Sequence, residues 1–147
     1  MSELPELLLG RLNHVGIACP SIDDAVAMYG RLFGATLSTP AFDLPAQGVR
    51  VAFIDVANSQ LELIEPLGAD SPIHGFLKKN PNGGQHHVCF EVKDIIAARD
   101  AMRARGATVL GTGEPRMGAH GVPVIFVHPR DTGGVLVELM QEPQHGH

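Results

Sequence analysis

The chain is poor in the features that mark several large protein classes. Only two cysteines, Cys19 and Cys89, occur in 147 residues, both inside apolar strand-like runs. Secreted disulfide frameworks are far denser in cysteine, so both are expected to be reduced core residues. Positive charge is scarce: 11 Lys and Arg against 16 Asp and Glu leave a net −5. That excludes the basic footprint of a general nucleic-acid binder, while leaving room for a local cationic patch. No run approaches the ~20 apolar residues of a membrane span. Leu7-Leu8-Leu9 is brief, follows acidic residues and has no basic start, so neither a signal peptide nor a membrane partner is expected. The expectation is a soluble, cytoplasmic protein. Glycine loops of the Walker or dinucleotide type are missing, and Gly133-Gly134 before a strand fits a turn. No serine–histidine–acid set can be singled out. With 44% hydrophobic and 18% charged residues the chain is not disordered, and its length suits a single domain, 1–147.

What the chain does have is a pattern written twice. The first copy runs His14-Val15-Gly16-Ile17, then Gly34-Ala35-Thr36-Leu37, then Leu61-Glu62-Leu63-Ile64. The second runs His87-Val88-Cys89-Phe90, then Gly106-Ala107-Thr108-Val109, then Val137-Glu138-Leu139-Met140. The His-to-Gly separations are 20 (34 − 14) and 19 (106 − 87), and the His-to-Glu separations are 48 (62 − 14) and 51 (138 − 87). Recurrence at a fixed spacing means copies of one supersecondary unit.

Local signals give the order within each copy. Residues 12–19 suit a strand. Ser21 offers an N-cap, with Asp24 as a short capping-box partner, and apolar positions from Ile22 to Phe33 have helical spacing that Gly34 stops. Strands are predicted at 35–39, 49–55 and 60–65. Ser71-Pro72 starts a short helix through Phe76 to Lys79, which Asn80-Pro81-Asn82-Gly83-Gly84 ends. The second copy repeats the order: a strand at 86–92, a helix from Asp94 to Arg105 closed by Gly106, and strands near 107–111, 123–128 and 134–140. The tail from Glu142 is polar and expected to fray. This gives one module at 11–67, a linker with a short helix at 68–84, and a second module at 85–141.

Each copy delivers one imidazole and one carboxylate from an apolar strand. A buried, unpaired carboxylate costs several kcal/mol, so it needs a cation, a partner or a proton. Alone, a strand histidine is more often a packing residue and a strand glutamate more often faces solvent. Matched positions in both copies favour a shared role. His14, Glu62, His87 and Glu138 together form a reasonable set for a first-row divalent metal with positions open to substrate. His86 adjoins His87, and alignment of His87-Val88 with His14-Val15 selects His87. His120, in Gly118-Ala119-His120-Gly121, sits in a loop that could close over a ligand or stay solvated, whereas His74 and His128 read as structural.

A duplicated strand–helix–three-strand unit with donors at matched positions resembles the vicinal oxygen chelate (glyoxalase/bleomycin resistance) superfamily, and within it the methylmalonyl-CoA epimerases. The resemblance runs from about Leu12 to Gln141. It is carried by LNHVGIACPSIDDAVAMYGRLFGA, ELIEPLGADSPIHGFLKKN, GGQHHVCFEV and GAHGVPVIFVHPRDTGGVLVEL. It implies an α+β fold of two tandem βαβββ modules forming a curved mixed sheet around a metal site, with helices on the outer face. It carries the metal ligands over as His14, His87 and Glu138, with Glu62 at a position that is glutamine in some epimerases. It implies a divalent cofactor, Co²⁺ or Mn²⁺ before Zn²⁺, Ni²⁺ or Mg²⁺, and a homodimer. The activity implied is interconversion of (R)- and (S)-methylmalonyl-CoA through a metal-stabilised enolate. Some epimerases place a base glutamate where this chain has Val51; Glu62 and Glu138 are the expected acid/base pair here. Lys78, Lys79, Arg116 and His120 are the candidates for holding the acyl-CoA. The alternatives are a glyoxalase I-like isomerase on the same scaffold, or a metal-free drug-sequestering module.

Overall fold

The computed structural model describes residues 5–143 and divides into two compact units. One is Asn13–Val88; the other comprises Cys89 onward together with the residues up to Leu12. The fold is α+β with a mixed sheet. In the first unit β1 (Leu12–Ala18) leads through α1 (Ile22–Phe33) to β2 (Phe42–Leu44), β3 (Val49–Val56) and β4 (Ser59–Pro66), and α2 (Ile73–Lys79) leads to β5 (Gly84–Val92). The strand order there is β2-β3-β4-β1-β5, with β1 and β4 parallel and β2, β3 and β4 antiparallel in turn. In the second unit α3 (Ile95–Ala104) is followed by β6 (Arg116–Met117), β7 (Pro123–Val127) and β8 (Val137–Gln141), in the order β5-β8-β7-β6.

The local signals act as chemistry requires. Ser21 Oγ accepts a hydrogen bond from Asp24 N at 3.2 Å, and Gly34 ends α1 in the left-handed region at φ 69°. Asp94 Oδ1 accepts from Ile96 N and Ala97 N at the start of α3. The short helix begins two residues after Ser71, whose hydroxyl accepts from Ile73 N, while Pro72 takes the capping position. Gly133 and Gly134 both have positive φ, as a turn demands.

Three expectations need correction. Residues 35–39 and 107–111 are not strands: each contributes one isolated bridge, Leu37 to Ile54 and Val109 to Val127. The strand that follows the helix lies later in both halves, at Phe42–Leu44 and Arg116–Met117. The apolar residues after each helix pack into the core without forming a ladder: Ala35 and Leu37 join the cluster around Ile22, Ala52, Ile54 and Leu63, and Ala107 and Val109 join that around Ile95, Ile125 and Leu139. The tail is held further than predicted, since Glu142 N donates to Val92 O at 2.8 Å. Its remainder, Gln144 to His147, lies outside the described residues.

In the first unit α1 covers one sheet face. Ile22, Ala25, Val26 and Tyr29 pack on Ala52, Ile54, Leu61 and Leu63. Strand alternation then turns Glu62, which sits between two of those leucines, to the opposite face. His14, three residues before Ile17 of the same cluster, points the same way as Glu62.

Candidate metal centre

Three predicted ligands converge on that face. His14 Nε2 lies 3.2 Å from His87 Nε2, and Glu62 Oε1 lies 3.7 Å from the first and 3.3 Å from the second. All three residues are buried, none more than 6% exposed. Donors bound at about 2.1 Å to one cation, at angles between octahedral and tetrahedral, stand roughly 3.0–3.4 Å apart. The observed triangle is close to that size. The chemistry agrees: two nitrogens and a carboxylate oxygen form the borderline-hard set that first-row divalent metals take. The residues therefore fit a divalent cation.

The sheet builds this triangle by register. Gly16 on β1 is the partner of Glu62 on β4, and Phe53 on β3 is the partner of Glu62 from the other side. A Cβ at Gly16 would fall 2.0 Å from His87 Cε1, so the missing side chain is what lets that imidazole lie beside Glu62. Phe53 meets His14 edge-on at 6.4 Å and lies against Phe42 at 6.2 Å with the rings tilted by 37°, forming an apolar wall. Val51, where some epimerases carry a base glutamate, is fully buried opposite Ile64 and Phe42. That position offers no proton here.

The fourth predicted ligand, Glu138, lies on β8 in the other compact unit. It is buried, 5% exposed, opposite Phe126, and one of its oxygens is within 4.8 Å of the Cys89 thiol. The predicted substrate residues differ in exposure. Lys78 and Lys79 close α2 and are exposed, as is Arg116 on β6, while His120 is half-buried in the turn that follows. His74 and His128 are structural as expected: His74 Nε2 bonds Gly68 O, and His128 Nδ1 accepts from Arg130 N. Both cysteines are free and buried. Burial first, and the nearby Glu65 charge second, push the Cys19 thiol up to about 11.

The sequence did not single out Asn13 as part of the centre, and treated His86 only as a rival to His87. Asn13 Oδ1 lies 2.8 Å from His14 Nδ1, and His86 Nδ1 lies 2.8 Å from His87 Nδ1. The signal was present: a polar residue immediately precedes the aligned histidine in both copies.

Sheet and donor set are those of a glyoxalase-type scaffold. The family model described as the Glyoxalase/Bleomycin resistance protein/Dioxygenase superfamily matches residues 13–126, and the chain belongs to that superfamily. Within it, the chain is 55% identical over 134 residues to the ethylmalonyl-CoA/methylmalonyl-CoA epimerase of Cereibacter sphaeroides, covering 91% of this chain and 99% of that one. Methylmalonyl-CoA epimerase from Mycobacterium tuberculosis has a solved structure that superposes with a TM-score of 0.85 at 31% identity, over 97% of this chain and 94% of that one. A solved methylmalonyl-CoA epimerase in complex with methylmalonyl-CoA and NH4+ superposes with a TM-score of 0.82 at 36% identity, over 91% and 95%.

Proposed function

We propose that this protein is a metal-dependent epimerase that interconverts (R)- and (S)-methylmalonyl-CoA. The observation that carries the reading is the buried triangle of His14, His87 and Glu62, in a chain that matches a methylmalonyl-CoA epimerase over nearly its whole length. A divalent cation held by His14, Glu62, His87 and Glu138 would supply Lewis acidity toward the thioester and carboxylate oxygens of the substrate.

The chain's own residues do the rest. The proton to be moved lies between a thioester carbonyl and a carboxylate, so removal places the electron pair on the thioester oxygen. A group on each face of the resulting plane then completes inversion. Glu62 turns Oε1 toward the imidazoles. Its second oxygen takes or returns the proton on one face, and Glu138 serves the other. The wall of Phe53, Phe42 and Val51 excludes water, so the proton is returned by a carboxylate and not by bulk solvent. Lys78, Lys79, Arg116 and His120 give the anionic carrier its contacts. Cobalt or manganese is the proposed metal, a homodimer the proposed assembly and the cytoplasm the proposed location. No helix among the described residues is long and apolar enough to cross a membrane.

The test is α-proton exchange on methylmalonyl-CoA in D₂O, followed by NMR with and without a chelator. Chelator-sensitive exchange into both epimers, well above buffer alone, is expected; exchange no faster than buffer in the metal-loaded protein overturns the reading. Ethylmalonyl-CoA belongs in the same assay. In Glu62→Gln, deuterium should still wash into one epimer while conversion to the other falls by about 10²-fold or more. Normal washout into both would eliminate Glu62 as a base. Charge reversal of Lys78 and Lys79 together should raise KM for the CoA ester and leave metal content unchanged; an unchanged KM removes these two.

A further inference from the structure

Each imidazole of the centre has its far nitrogen engaged by the residue just before it in the chain. Asn13 Oδ1 stands 2.8 Å from His14 Nδ1. An amide oxygen only accepts, so His14 Nδ1 carries a hydrogen, and in the neutral ring Nε2 then presents its lone pair. His86 Nδ1 stands 2.8 Å from His87 Nδ1, and of two facing ring nitrogens one must donate. His87 is the donor if its Nε2, 3.3 Å from Glu62 Oε1, is to hold a cation. His86 is then the neutral tautomer protonated at Nε2.

Both supporting residues are themselves located. Asn13 O accepts from Ser59 Oγ at 3.0 Å, tying that point of β1 to the start of β4. His86 meets Phe76 of α2 edge-on, with ring centroids 5.2 Å apart at 76°. Without these contacts nothing in the tautomer equilibrium of a free imidazole would select Nε2 as the lone-pair nitrogen on both rings. With them, both Nε2 lone pairs can turn to a cation beside the Glu62 carboxylate, whereas in the metal-free protein the 3.2 Å contact of His14 Nε2 with His87 Nε2 needs one proton between the two nitrogens.

We propose that Asn13 and His86 are positioning residues of the metal centre. Each fixes the tautomer and rotation of the histidine that follows it, so that both Nε2 atoms are ready for the metal. The proposal rests on the metal reading above and adds which residues prepare the site. Ligating imidazoles elsewhere gain affinity from such partners, whose loss costs about 10–100-fold in metal binding.

The experiment has two independent readouts on the full-length protein. In the first, Co²⁺ and Mn²⁺ dissociation constants are measured for wild type, Asn13→Leu, Asn13→Asp, His86→Phe and His86→Gln, with circular dichroism to check the fold. Asn13→Leu and His86→Phe should bind about 10–100-fold more weakly, while Asn13→Asp and His86→Gln, which keep an acceptor oxygen, should stay within a few-fold of wild type. At saturating metal the loss should shrink, with KM for methylmalonyl-CoA little changed. In the second, ¹⁵N NMR of the metal-free wild type should show His14 protonated at Nδ1, a result that needs no variant to fold. Tight metal binding by wild type, Asn13→Leu and His86→Phe alike overturns the positioning role. So does an Nε2-protonated His14 in the wild type. Failure of wild type to bind any divalent metal sinks the metal reading instead, and the NMR result then still decides the tautomer claim by itself.

Discussion

A carboxylate only 6% exposed between Leu61 and Leu63 has lost most of its hydration, and Glu62 recovers that loss only from what lies within bonding reach. In the metal-free protein that recovery comes from two imidazoles; in the metal-loaded protein it comes from the cation. Glu62→Gln should therefore leave the metal-free protein as stable or more so, by roughly 0–2 kcal/mol, because a buried charge has gone. The same variant should gain less stabilisation from added Co²⁺ than wild type does, because a neutral amide oxygen replaces an anionic one. Urea unfolding with and without metal separates the two effects, and a large loss of stability in the metal-free variant would contradict the argument. Cys19 illustrates burial acting on a neutral group. Its thiol sits at about 11 against an ordinary 9.0. The unfolded chain thus gives up this proton before the folded protein does. Stability is whole below pH about 9 and falls as pH rises toward 11, by at most roughly 3 kcal/mol. Thiol alkylation at pH 8 should be slow at Cys19, and replacing Glu65 by Gln should speed it, since one of the two causes of the shift is removed.

Glu65 also belongs to an arrangement visible only between elements. It accepts from Ile22 N at 2.6 Å, at the first residue of α1, three positions after Glu62. In the other half Gln141, three positions after Glu138, accepts from Ile95 N at 2.9 Å, at the first residue of α3. Each closing strand thus carries a buried glutamate and uses another residue to cap the helix of its own half. The native glutamine shows that an amide oxygen suffices, so Glu65→Gln should change stability by less than about 1 kcal/mol while Glu65→Ala costs about 1–2. Asp94→Ala, which frees both Ile96 N and Ala97 N, should cost about 1–2 kcal/mol by thermal or urea unfolding. Helices were the more legible elements because their signals are local: a hydroxyl or carboxylate before, an apolar period within, a glycine after. The strands expected at 35–39 and 107–111 have the apolar content of strands, but a strand exists only where a partner runs alongside. Their neighbours meet them through one isolated bridge each and a few flanking backbone bonds, such as Ser38 N to Phe53 O and Leu110 N to Phe126 O, too few to make a ladder.

For the whole molecule, a bound divalent metal would couple binding to stability. A ligand that binds only the folded state at about 100 times its Kd adds roughly 2.7 kcal/mol. For a chain of this size that amounts to a rise in Tm of about 5–10 °C on loading with Co²⁺. His14→Ala should abolish the rise, and an unchanged rise in that variant, read by calorimetry, would place the metal elsewhere.

The duplicated pattern, the helix boundaries and the expectation that His14, Glu62, His87 and Glu138 share one role followed from sequence, because matched spacing of unlike chemistries is a covalent property of the chain; the folded structure brings the first three within bonding reach. The choice of His87 over His86 came from aligning the copies, but the part played by His86 did not. Adjacent strand residues are expected to face apart, and only the folded strand shows His86 Nδ1 reaching back to His87. The room beside Glu62 was likewise a tertiary matter. It depends on parallel register setting Gly16 opposite Glu62, so that one imidazole occupies the space a side chain would have filled. Sequence fixes which atoms can donate and accept. Their directions depend on neighbours far away along the chain, and distances of about 3 Å are set by packing alone.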